Sequence, residues 1–320
     1  MSETVRILLI NIDSKIPNLA LEKLRVYHKV QNDEVSLIKD TSSFLPLFVH
    51  NYDKIYVSCV FDYNKHLCKK WEGIAEIGGS GYNLKKRLPP EVEQIKPKMN
   101  FGFTTRGCIR NCYFCIVPKK EGKIRIVGDV YDLWDGKAKD VLIMDNNILA
   151  APEHFFKISE QLKKEKLTVD FNQGLDHRLL TNRICRELLS LSHKGFIRFA
   201  FDHISYKESV LKALKMLKKN GMKTRQTRWY IYVGVKDTSD NVLERINILR
   251  DEGQFVFLMR DRNKQVQANL EFTKIYQWSY NFAFYFAVPY PPKQLPKKDN
   301  SNNKINLFKL RKKRSIKNES

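Results

Sequence analysis

Between Met99 and Met259, apolar runs of strand length alternate with segments of helical period, and this alternation restricts the fold more than any other feature. The strand-like runs are Met99–Thr105, Val141–Met144, Thr168–Asn172, Phe196–Phe201, Trp229–Val235 and Phe255–Met259. The intervening pattern predicts helices over Pro152–Lys164, Thr181–Ser192, Tyr206–Lys219 and Ser239–Glu252. Pro152 falls in a first turn, where its missing N–H costs nothing, and Asn220-Gly221 is a helix stop. Ile124–Val127 reads as a short strand and Val130–Trp134 as one or two helical turns. Strands that alternate with helices pair in parallel, so the chain is α/β with about six βα units.

A smaller α/β pattern comes first. Val5–Ile10 is a continuous apolar strand, Pro17 and Asn18 open a helix over Leu19–Val30, and Val35–Ile38 and Ile55–Val60 are further strands. Asn64–Trp71 looks helical, and Ile77-Gly78-Gly79-Ser80-Gly81 is a tight turn. Residues 1–88 therefore read as a Rossmann-like domain. Pro89-Pro90 with the charged Glu91–Lys98 makes residues 89–98 a linker.

The chemistry concentrates in Cys108-Ile109-Arg110-Asn111-Cys112-Tyr113-Phe114-Cys115, three cysteines within eight residues, directly after the run Phe101–Thr105 and the turn Arg106-Gly107. Three closely spaced thiolates on a loop can hold three irons of a cubane [4Fe–4S] cluster. With no fourth cysteine nearby, the fourth iron stays open to a small ligand. A zinc site would need a fourth ligand from Cys185 or a distant His. The six cysteines form no paired framework, and the start Met1-Ser2-Glu3-Thr4 lacks a basic leader, which argues against disulfides.

The spacing Cys-x3-Cys-x2-Cys with an aromatic before the last cysteine resembles the signature of the radical S-adenosylmethionine (radical SAM) superfamily. The resemblance implies that Cys108, Cys112 and Cys115 ligate the cluster, that SAM chelates the open iron, and that its reductive cleavage yields a hydrogen-abstracting 5′-deoxyadenosyl radical. It also implies that Phe114 lies near the adenine, that a flavodoxin or ferredoxin supplies the electron, and that residues 99–290 form a partial (β/α)6 TIM-type barrel. In such barrels the chemistry gathers at the carboxyl ends of the strands. The family's Gly-Gly-Glu-like motif is replaced here by Asp145-Asn146-Asn147. By position, Asp145 or Asn146 is expected to accept from the methionyl amino group and Gln173 to face ribose or substrate. Arg178 or Arg198 is expected to pair the carboxylate, and Asp202 stands at the end of another strand. Each of these residues is equally at home as a cap or turn residue. Asp176-His177-Arg178 holds an acid–base pair.

The α/β domain ahead of the core is similar to the cobalamin-binding subgroup, but the Asp-x-His-x-x-Gly motif is missing: Asp13-Ser14-Lys15 lacks the histidine. The domain reads as a degenerate cobalamin-binding-like one, with cobalamin a lesser expectation. The methylthiotransferases that modify tRNA carry three further cysteines in the N-terminal domain for a second cluster. Only Cys59 and Cys68 are present here, and Cys59 reads as a core residue.

The formal charge is +22, from 57 basic and 35 acidic residues. Residues 291–320, with ten Lys or Arg against two acids, read as a basic, unfolded tail with a phosphate-suited cluster at Lys309–Arg314. Such a balance attracts nucleic acid. RNA is thus an expected substrate, and the alternative readings are a non-catalytic Fe–S or metal-binding protein that binds nucleic acid and a cobalamin-dependent radical SAM methyltransferase. Gln265–Trp278 reads as a final helix and the aromatic run Tyr280–Val288 as a barrel-closing segment. No run reaches the roughly 18–20 apolar residues of a membrane span, and the expectation is a cytoplasmic protein.

Overall fold

The computed structural model describes residues 4–40, 46–223 and 225–292. The basic cluster Lys309–Arg314 lies outside the described residues. Two compact units are present, Met1–Gln267 and Ala268–Ser320. Among the described residues, no helix is long and apolar enough to cross a membrane.

The first unit is α/β with parallel sheets. Its first sheet holds β1 (Arg6–Asn11), β2 (Glu34–Lys39), β3 (Lys54–Ser58) and β4 (Glu76–Gly78) in the order β2-β1-β3-β4, with every pair parallel. Successive side chains on a strand face opposite ways, and β1 is apolar on both faces. Ile7 and Leu9 pack with Leu21, Leu24 and Val92 on one side, while Leu8 and Ile10 join Val57, Trp71 and Ile77 on the other. A strand covered on both faces explains the unbroken apolar run. Asn18 caps the helix Leu19–Val30 by accepting from the Ala20 and Leu21 amides. The stretch that reads as helical, Asn64–Trp71, is a 3₁₀ helix, Asp62–Trp71. The glycine turn serves close packing: a Cβ on Gly79 (φ +96°) would stand 2.1 Å from the Cys59 carbonyl oxygen.

The second group of strands runs β5 (Phe101–Gly102), β8 (Asp140–Ile143), β9 (Thr168–Phe171), β11 (Ile197–Ala200), β12 (Thr227–Val233) and β13 (Phe255–Arg260). β5, β8 and β9 pair in parallel, as do β11, β12 and β13. A parallel bridge, Leu175 to Phe199, joins the two sets, and the short β10 (Ser192–His193) extends the edge of β9. The helices Pro152–Lys164, Asn182–Ser190, Lys207–Lys219 and Ser239–Asp251 make the crossovers. Thr181 and Thr238, read as first helical or preceding residues, are N-caps.

The run expected as one strand over Met99–Thr105 divides. After β5 the chain leaves the sheet, and β6 (Thr105–Arg106) pairs antiparallel with β7 (Arg125–Ile126). The cause lies forty residues away: the Asp145 carboxylate captures the Thr104 amide and the hydroxyls of both threonines. That hairpin brackets the cysteine loop.

Asn269 interrupts the expected final helix. It caps Leu270–Tyr280, leaving Lys264–Ala268 as a separate turn of helix. The aromatic run is helical over Phe282–Ala287, with Tyr285 buried against Trp278.

Candidate functional site

The cysteine loop stands at the carboxyl ends of β5 and β8 and is moored there by three consecutive side chains. Both oxygens of Asp145 are occupied: Oδ1 accepts from the Thr104 amide (2.6 Å), and Oδ2 from the Thr104 and Thr105 hydroxyls. Burial raises the Asp145 pKa, and the bonds from Thr104 and Thr105 oppose that rise. Asn146 Oδ1 accepts from the Gly107 amide at 2.9 Å. Gly107 adopts φ +87°, and a Cβ there would lie 2.2 Å from the Lys123 carbonyl oxygen, so only glycine fits this turn. Asn147 Nδ2 donates to Cys108 Sγ at 3.4 Å. Its Oδ1 is buried and has no hydrogen-bond partner among the described residues.

The three cysteines are half-buried. Backbone amides point at two of the sulfurs, Arg110 N to Cys108 Sγ at 3.3 Å and Val117 N to Cys115 Sγ at 3.4 Å. Burial raises the Cys112 thiol pKa, and Asp202 and the neighbouring thiols add to the rise while Arg178 opposes it. Burial likewise raises Cys115, against the Val117 amide and with Cys108 and Asp202. Among the described residues no three His, Cys, Asp or Glu side chains converge as they would around one ion. Thiolates that each hold a separate corner of a cubane need no such convergence. The backbone and carboxamide N–H groups aimed at the Cys108 and Cys115 sulfurs suit thiolates that hold a cluster.

Around the loop, Phe114 stacks on Tyr232 with centroids 4.0 Å apart and planes at 14°. Tyr232 is fixed from the far side by its hydroxyl, which donates to Asp261. Tyr113 meets the same ring edge-on and carries Lys236 over its own face at 5.3 Å. A cavity of about 230 Å³ opens here, lined by Tyr113, Asp202, His203, Lys236, Asp237 and Asn241. Asp202 Oδ1 accepts from the Tyr232 amide at 3.1 Å, and burial pushes the Asp202 pKa up to about 6. Behind it the fully buried Arg245 donates to the carbonyls of Phe201, Asp202 and Tyr232 and to Asp237, locking the ends of β11 and β12.

On the other flank, Asp176 accepts from Arg110 Nε (2.8 Å) and from Arg178 Nε and Nη2 (2.7 and 3.2 Å). The guanidinium of Arg178 lies over Tyr206, 4.6 Å from the ring centre. His177 does not join Asp176; it is buried against Trp229, with Nε2 on the Ser209 hydroxyl. Arg198 is bound to Asp170. Gln173 is exposed in the loop after β9 and has no hydrogen-bond partner among the described residues.

The structure thus gathers Cys108, Cys112, Cys115, Phe114, Arg178 and Asp202 and sets Arg198 apart. It ties Asp145 and Asn146 into the loop's own support. Sequence reasoning named Asn147 and Asp176 only within their motifs, Asp176 as the partner of His177 and not of the two arginines, and gave no role to Arg110, Tyr232 or Arg245. Only Arg110, inside the cysteine motif, carried a signal.

No known family profile matches the chain. It is similar to a tRNA-2-methylthio-N(6)-dimethylallyladenosine synthase from Flavobacterium psychrophilum, at 23% identity over 163 residues. The match covers 48% of this chain and 31% of that protein.

Proposed function

We propose that this chain is a radical SAM enzyme acting on RNA in the cytoplasm. The observation that carries the proposal is the Cys108–Cys112–Cys115 loop mounted at the carboxyl ends of parallel strands, with N–H donors on its sulfurs. The likeness to a tRNA-modifying synthase and the charge of +22 support the superfamily and the substrate class. In this reading β5, β8, β9, β11, β12 and β13 form the partial (β/α)6 barrel, and residues 1–88 form the Rossmann-like domain.

Cys108, Cys112 and Cys115 would hold a [4Fe–4S] cluster. When bound, the cluster and SAM supply one-electron cleavage and a hydrogen-abstracting radical. Asp145 and Asn146 hold the loop in register. The unpartnered Asn147 Oδ1 is the acceptor best placed for the methionyl amino group, a role first expected of its two neighbours. Arg178, held by Asp176, pairs the carboxylate. Phe114, backed by Tyr232, borders the adenine, with Asp202 and Gln173 toward ribose or substrate. A flavodoxin or ferredoxin delivers the electron. Methylthio transfer forms no part of the proposal: Cys59 and Cys68 are fully buried in the first sheet's core.

Anaerobic reconstitution with iron and sulfide, followed by dithionite and SAM, tests the proposal. The expected result is 5′-deoxyadenosine from the wild type and none from Cys112→Ala. A cluster that assembles and leaves SAM intact overturns the enzyme assignment.

A further inference from the structure

A cavity of about 500 Å³ lies between the helix Leu19–Val30, the segment 90–97 and the hairpin β6–β7. That volume is typical of small-molecule sites. Its walls are of two kinds. Phe101, Phe103, Ile95 and Leu133 are apolar, while Lys23, Lys96, Arg106 and Arg125 bring four cations to the same space.

The cations are not simply balanced. Glu93 is paired with Lys23 at 3.1 Å, and Asp132, the other acid in the wall, accepts from the Asp129 amide at 3.0 Å. Arg106 and Arg125 share one carboxylate, Glu121. The Arg106 guanidinium lies over Phe103, 4.2 Å from the ring centre, and its Nε and Nη2 have no partner among the described residues. Lys23 is 6% exposed. Its ammonium is disfavoured first by burial, against the pull of Glu93, and further by the charges of Arg106 and Lys96. Bringing in an anion would relieve this positive crowding, because opposite charge favours the charged form of a buried amine.

We propose that this cavity binds a nucleotide, with the heteroaromatic ring among Phe101, Phe103, Ile95 and Leu133 and the phosphate against Lys23, Lys96 and Arg106. Flat rings find partners on aromatic faces, and a guanidinium with unpaired nitrogens matches phosphate oxygens. The four cations disfavour SAM, which carries a sulfonium, so the site is distinct from the one beside the cysteines. The nucleotide is either a free mononucleotide or the end of an RNA chain.

The test is calorimetric titration of the full chain with adenosine 5′-monophosphate, and with adenosine and inorganic phosphate in parallel. One equivalent of the nucleotide should bind, with either fragment at least about tenfold weaker. Arg106→Gln and Lys96→Ala should each weaken it about five- to tenfold. Val127→Trp, which fills the cavity from a half-buried wall position, should abolish it while the melting temperature confirms the fold. Cys112→Ala should bind like the wild type, which separates this site from the proposed cluster chemistry. Displacement by a 5′-phosphorylated RNA oligonucleotide would assign the site to a chain end, and resistance to it would assign the site to a free nucleotide; both support the proposal. No uptake of the nucleotide at about 1 mM, an affinity worth only about 4 kcal/mol, overturns it. So does binding that Arg106→Gln and Val127→Trp leave unchanged.

Discussion

Two parallel sheets in this chain end in the same device and put it to different use. At the carboxyl end of the first sheet, Asp13 accepts from the Val60 and Phe61 amides, at 2.8 and 2.9 Å, and from Asn64 Nδ2. The loop it holds carries Cys59, whose thiol reaches the same carboxylate. At the carboxyl end of β8, Asp145 holds the strand that leads into Cys108. In both places a strand-end aspartate moors a cysteine-bearing segment by its backbone. The cysteines then part ways. Cys59 and Cys68 are wholly buried, and burial raises both thiols, with Asp13 adding to the rise. Cys108, Cys112 and Cys115 are half-open and meet N–H donors and an arginine. Mooring a loop is a general use of a strand-end carboxylate, and exposure and donors decide whether the cysteines on it can do chemistry.

The largest expected effects separate the two ends. Asp145→Ala leaves an amide and two hydroxyls unsatisfied in the interior, which costs about 3 kcal/mol or more. It should also cut iron bound after reconstitution about 10–100-fold, the usual scale for a lost outer-shell support. Asp13→Ala should lower the melting temperature comparably and leave bound iron at the wild-type level. Equal iron loss in both variants would break the comparison. Arg245→Met should cost about 3–5 kcal/mol in denaturant titration, since four acceptors behind the site lose a fully buried donor.

His177 supplies a pH test on the same flank. Burial pushes its pKa down to about 4 from an ordinary value near 6.5. The unfolded chain therefore takes up this proton at higher pH than the folded one does. Stability from this group is full above about pH 6.5, and about 3 kcal/mol is lost as pH falls from there toward 4. His177→Phe should flatten that part of the stability–pH curve, and a curve of unchanged slope in the variant would refute the assignment.

How much of this was legible in the sequence depends on the range of the interactions. The parallel strands were readable because burial on both faces leaves long apolar runs, as in β1 and β12. The cysteine loop was readable because its spacing is local. Asp145 was read as a cofactor contact because a polar residue at a strand end looks the same whether it faces a ligand or a backbone. Its partners Thr104 and Thr105 are forty residues away, and the same long-range capture ended the strand predicted through them. Tyr232 carried no local mark either, since its role exists only where β12 brings it onto Phe114. Asp62–Trp71 is helical as its pattern suggests and Phe282–Ala287 is helical where the sequence named only a closing segment, since short apolar periods do not fix the helix geometry.

The smallest expected effect sharpens the comparison most. Tyr232→Phe keeps the ring on Phe114 and removes only the hydroxyl that donates to Asp261. Losing one hydrogen bond to a charged acceptor costs about 1.5–3 kcal/mol, so a modest drop in melting temperature is expected with bound iron unchanged. Tyr232→Leu removes the stacked face as well. If the stack positions Phe114 at the cysteine loop, the leucine variant should bind SAM more weakly in equilibrium dialysis after reconstitution, while the phenylalanine variant binds it normally. If both variants bind SAM as the wild type does, Tyr232 is a core residue, and the aromatic wall beside the cysteines belongs with Cys59 and Cys68 to the packing of the fold.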